Sequence, residues 1–193
     1  NSTGAACMDM ADIVGETQLC ASGAGSWQLL SGQWNSGTNT SVSLRLITDG
    51  SPTGDIWFDD ISLAGPSTAT NTPTRTPTRT STPTKTPTAT NTVPGPTNTP
   101  TRTSTPTTPP VASNVVLNPG FEAQGNGAAD AANWTEGASH VRASDKFHTG
   151  GWSLHSTYRG AGTSTNTTAP IAVSPNTDYT YSGYIWRTNS TGA

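Results

Sequence analysis

Charge is scarce in this chain. Only 11% of its 193 residues are Asp, Glu, Lys or Arg, and hydrophobic residues reach only 31%. A chain held open by self-repulsion carries more charge, and an ordinary globular domain carries more apolar side chains, so neither class describes the whole sequence. The nine basic residues are too few to leave a nucleic-acid footprint. No stretch approaches the ~20 apolar residues of a membrane-spanning helix. Cysteine occurs only at Cys7 and Cys20, without a CxxC pair or a His–Cys cluster, which argues against a zinc site.

What is present divides the chain in three. From Pro66 to Ser113 the sequence is almost wholly Thr, Pro, Ser, Asn, Ala and Gly, with Arg75, Arg79, Lys85 and Arg102 and no acid. Removing those four bases from the total of nine leaves five against twelve acids, so a +4 segment joins flanks of net −7. Every Trp, Tyr and Phe lies in the flanks, where any core must be built.

Thr takes every even position from Thr68 to Thr92, with prolines interspersed. Proline removes backbone donors and fixes φ, which leaves an extended or polyproline II stalk. Ser/Thr-rich tracts of this kind are typical O-glycan carriers, and Thr74, Thr76, Thr78, Thr84, Thr86 and Thr88 are the candidate acceptors. The segment is expected to run along a neighbouring module surface; an unmodified flexible spacer is the plainer alternative.

The pentapeptide Asn-Ser-Thr-Gly-Ala stands at residues 1–5 and again at 189–193. That duplication suggests one period of a tandem array, and neither an initiator Met nor a leader is expected in an excised piece. Both flanks look β-rich. Val42, Leu44 and Leu46 share a parity, as do Trp57, Ile61 and Leu63, and Asp178–Arg187 alternates in the same way. The segment from Cys7 to Cys20 is expected to be irregular or briefly helical, its cysteines either joined in a disulfide, the preferred reading, or reduced within a sandwich.

Neither flank has enough apolar surface to close alone. Placing residues 114–193 before residues 1–65 gives NPGFE (118–122), Trp134, GGWSL (150–154), YTYSGYIW (179–186), then Trp27, Leu30 and Gly32, and finally FDDISL (58–63). In that order, and only in that order, both flanks resemble the jelly-roll carbohydrate-binding modules found beside extracellular xylanases and glucanases. The expected architecture is therefore an all-β jelly-roll sandwich in which 114–193 of one copy completes 1–65 of the next, across the linker 66–113.

The resemblance implies a structural calcium held by Glu122 with Asp59 or Asp60, whose carboxylates would repel without a cation or proton between them. Solvated turn caps are the plainer alternative. It also implies that Tyr179, Tyr181, Gly183 and Ile185 point inward, leaving Tyr184 and Trp186 as an exposed sugar-stacking platform; an interface with the linker or a neighbouring copy is an equal alternative. Trp27, Trp57, Trp134 and Trp152 are then core residues, and Trp34 is open. No catalytic pair is expected: Asp59 and Asp60 are adjacent on a strand and point to opposite faces, while His140, His148 and His155 have neither metal spacing nor a nucleophile motif. Glycosylation sequons fall at Asn1, Asn39, Asn133, Asn166 and Asn189.

Two functions fit these features. One is a structural repeat of an extracellular filament, sheath or stalk, its copies meeting head to tail. The other is a series of polysaccharide-binding modules on an extracellular enzyme or adhesin.

Overall fold

The computed structural model describes residues 5–11, 13, 18–49, 54–66, 112–137, 139–158, 160 and 162–188. Residues 67–111, most of the linker with its candidate acceptor threonines, lie outside the described residues, as do residues 1–4 and 189–193.

The described chain is all-β. Its strands are β1 (Ala5–Ala11), β2 (Leu19–Cys20), β3 (Gln28–Asn35), β4 (Ser41–Asp49) and β5 (Ile56–Ala64) from the first flank. The second flank supplies β6 (Trp134–Thr135), β7 (His140–Ala143), β8 (Ser153–Ser156), β9 (Thr163–Thr168), β10 (Ile171–Ala172) and β11 (Asp178–Arg187). One sheet runs β2-β1-β4-β9-β6, with β10 also on β4; the other runs β3-β11-β5-β8-β7. All of these pairings are antiparallel.

The two sheets share one core, with Met8, Met10, Leu44 and Leu46 on one side and Phe58, Ile61, Leu63, Leu154, Tyr181 and Ile185 on the other. The flanks thus interleave in a single compact unit. Their union occurs within one chain, whereas the sequence reading places it between copies. β3 and β5 do not touch as neighbours; β11 of the other flank lies between them.

The end of β11 and the start of β1 are tied together through Ala21. Its N–H donates to Ala6 O at 2.9 Å, and its carbonyl accepts from Arg187 Nη1 at 2.9 Å. Gly25 N–H closes the same corner on Arg187 O.

Alternation holds where no residue is inserted. Val42, Leu44 and Leu46 are buried, and β11 turns Tyr179, Tyr181, Gly183 and Ile185 inward as expected. In β5 it fails. Ser182 pairs with Ser62 but Tyr184 pairs with Asp59, so one residue of β11, Gly183, faces two of β5, Asp60 and Ile61. This bulge shifts the phase: Ile56 and Phe58 point inward before it, Ile61 and Leu63 after it. Trp57 is displaced to the outer face, buried there but outside the core cluster. Trp34 and Trp134 do fill the core, while Trp27 and Trp152 are only half-buried outside it.

The Cys7–Cys20 segment also departs from expectation. Its ends are strands β1 and β2, paired at the disulfide-bonded cysteines themselves. β1 is buried on both sides because Ala5 and Cys7 pack on Ile47 while Met8 and Met10 face the main core.

Close packing leaves Gly183 no room to change. A Cβ there would lie 2.6 Å from Ile61 Cδ1 and 3.3 Å from Met8 Sδ. Gly183→Val should therefore destabilise the unit by about 2 kcal/mol or more, read as a lower urea midpoint with unchanged slope.

A buried polar group adds a pH dependence. His140 sits between the sheets, its Nδ1 3.3 Å from Ser164 Oγ, and burial pushes its pKa down to about 4. The unfolded state then binds the extra proton between the ordinary histidine value and pH 4, so stability falls as pH falls through that window. Relative to His140→Asn, the native chain should lose about 3 kcal/mol from pH 7 to pH 4 in chemical unfolding.

Candidate functional site

The β5 bulge builds the site. At Asp60 the backbone enters the left-handed region, with φ 50°, which a short polar residue tolerates. Both carboxylates consequently turn toward the same loop, residues 144–152, and not to opposite faces as simple alternation requires.

Asp59 is fully buried and saturated with donors. Its Oδ1 accepts from Asp60 N–H at 2.7 Å, and its Oδ2 from the N–H groups of His148 at 2.6 Å and Thr149 at 3.2 Å. Burial nevertheless pushes its pKa up to about 6, more than these donors lower it. Asp60 Oδ2 lies 2.7 Å from His148 Nδ1, and its Oδ1 accepts from Thr149 Oγ1 at 2.6 Å.

Glu122 clamps the far side of the loop. Its Oε1 accepts from Gly151 N–H at 2.8 Å and Trp152 N–H at 3.1 Å. Gly150, at φ +68°, is required here because a Cβ would fall 2.0 Å from that same oxygen. Arg142 completes the clamp, donating to the carbonyls of Phe121 and Glu122 while its guanidinium stacks 3.4 Å over Trp152.

Glu122, Asp59 and Asp60 therefore all anchor the same loop. An atom at the Cβ position of Gly120 would lie 3.5 Å from Asp59 Oδ1, 3.6 Å from Asp60 Oδ1 and 3.9 Å from Glu122 Cγ. As arranged, their oxygens accept from N–H and O–H donors. Among the described residues, no group of three or more His, Cys, Asp and Glu is placed to hold a metal.

The clamped loop lies over the expected sugar platform. His148 stacks on Tyr184 with ring centroids 3.6 Å apart, and Lys146 Nζ stands 4.1 Å over Trp186. Trp27 packs edge-on against His148 and Trp186. Beneath them Trp57 stacks on His155 and donates from Nε1 to Asp145 Oδ1 at 3.1 Å. Tyr184 and Trp186 do share the outer face, but both are half-buried and not an open platform.

Lys146 is the residue that sequence reasoning missed; that reasoning weighs His148 only as a metal or catalytic group and places Trp27 in the core. A lysine two residues before His148, both just ahead of GGWSL, was the available signal.

Two concavities lie elsewhere. A polar cleft of about 640 Å³ is lined by Gln124, Asn126, Asp130, Asn133 and Glu136 against Trp134. An apolar groove of about 300 Å³ is lined by Val115, Leu117, Pro170 and Ile171. Of the sequons within the described residues, Asn133 is exposed, Asn39 bonds Ser36 O, and Asn166 is buried. No helix among the described residues is long and apolar enough to cross a membrane.

Comparison with protein-family models, with curated proteins and with solved structures finds no match.

Replacing Asp59 by Asn would set an NH₂ group against backbone donors. Asp59→Asn should cost about 1–3 kcal/mol in thermal or urea unfolding. The 144–152 loop should also become cleavable by trypsin at Lys146 under native conditions.

Proposed function

We propose that this chain is a non-catalytic structural repeat of an extracellular filament, sheath or stalk, in which β-sandwich modules alternate with Thr/Pro-rich, O-glycosylated linkers. The observation that carries the reading is the interleaved strand order. The contacts that β11 makes with β3 and β5 do not depend on whether the flanks belong to one chain or to two. Exchange of flanks between copies would then string modules head to tail, because an exchanged element reproduces native contacts at little cost. The corner at Ala21 supports it further, since it lets the end of one flank lie beside the start of the other.

A second reading rests on the aromatic group at Trp27, Tyr184 and Trp186, which resembles a polysaccharide-stacking face. In that reading Lys146 and His148 must withdraw before a sugar ring can lie on Tyr184 or Trp186. A structural calcium at Glu122, Asp59 and Asp60 belongs to the same reading and would have to displace His148 from Asp60. The covered rings make this the weaker proposal.

Complementation tests the first reading directly. Fragments 1–113 and 114–193, prepared separately, should each lack a cooperative thermal transition, and mixing them in equal amounts should restore one. Two fragments that each unfold cooperatively, with no change on mixing, would overturn it.

A further inference from the structure

We propose that β3 is a lateral docking edge, and that its occupant is β3 of a second copy, paired antiparallel about a twofold axis. This contact is distinct from flank exchange and would join two strings of modules side by side.

β3 ends its sheet, and among the described residues no strand pairs with its outer edge. Its register with β11 is unbroken through all eight residues, which gives a straight edge of about 27 Å. The other terminal strands are short: β7 has four residues, and β2, β6 and β10 have two each. Soluble proteins commonly blunt a long edge with charge, proline or a bulge. Gln-Leu-Leu-Ser-Gly-Gln-Trp-Asn contains no charge and no proline, and carries no bulge against β11.

The side chains point to a second copy of the same strand. Leu29, Ser31, Gln33 and Asn35 form an exposed outward row, with Leu29 55% exposed, while Leu30 and Trp34 turn to the core. A twofold axis through Ser31 sets Leu29 opposite Gln33 and Leu30 opposite Gly32 of the second copy. Outward positions then meet outward positions, and core-facing positions meet core-facing ones, so the sheet continues with its buried face on one side. With no charge on either strand, no like-charge repulsion opposes the pairing.

Sedimentation of the 193-residue chain over a concentration series tests this. The native chain should populate a species of twice its 19.8 kDa mass. The double variant Leu29→Lys/Gln33→Lys should weaken association by about tenfold or more, with its circular dichroism and melting temperature retained. Leu117→Lys, in an exposed position on the other flank, should leave association unchanged. Ser31→Cys should form a disulfide-linked dimer on oxidation, because Cys7 and Cys20 already bond each other. A native chain that stays at 19.8 kDa throughout, a dimer abolished by Leu117→Lys but not by the β3 variant, or a Ser31→Cys chain that does not cross-link would each overturn the proposal. Should the lysine variant misfold, the cross-link alone decides.

Discussion

The insertion of β11 between β3 and β5 is the constraint on which the sandwich depends. β11 is the longest strand among the described residues, and its loss would leave β3 without a neighbour and β5 paired only with the short β8. It also reaches across the core, since Gly183 lets Met8 of the opposite sheet and Ile61 of the adjacent strand approach its backbone. Small size at one position thus sets how closely the two sheets pack. A flank alone would expose that apolar surface together with unpaired edges, and with so few apolar residues it has no second core to fall back on.

The strand beside it, β5, carries the bulge that builds the candidate site. One extra residue in β5 opposite Ser182–Tyr184 turns Asp59 and Asp60 toward a single loop. Burial of Asp59 is unfavourable for its charge, and three backbone N–H groups offset part of that cost. The loop so anchored brings Lys146 and His148 over Trp186 and Tyr184. Carboxylates within the sheet thereby hold the loop over the aromatic face. That link is electrostatic at one end and a matter of ring packing at the other.

Much of this was legible in the residues, and the exceptions have one cause. The all-β character and the inward row of β4 follow from composition and alternation, and the Cys7–Cys20 pairing is the preferred reading. The inward side of β11 and the joining of the flanks rest on the resemblance and the repeated ends, and the joining is expected there between copies, not within one chain. A period of two, however, contains no sign of an inserted residue. The bulge moved Trp57 out of the core and brought Asp59 and Asp60 to one loop, and neither change could be read from spacing. β1 was misjudged for a different reason: Ala-Ala-Cys-Met-Asp-Met-Ala shows little contrast because both of its faces are covered. The 144–152 loop was missed because its order comes from Glu122, Asp59 and Asp60, all distant in sequence.

Whether one chain closes its own sandwich or completes another's is a question of connection, not of contact. The strand pairs, the core and the Ala21 corner are the same in both arrangements, so the sandwich itself gives almost no preference between them. The preference must come from concentration and from the linker, since closure within a chain competes with local density of other copies. In dilute solution the intramolecular arrangement wins for any linker long enough to span the two flanks. Anchored copies held close together reverse that balance without altering one residue of the core. For the structural repeat proposed above, this is the property required: a module closed while alone that could exchange flanks when crowded.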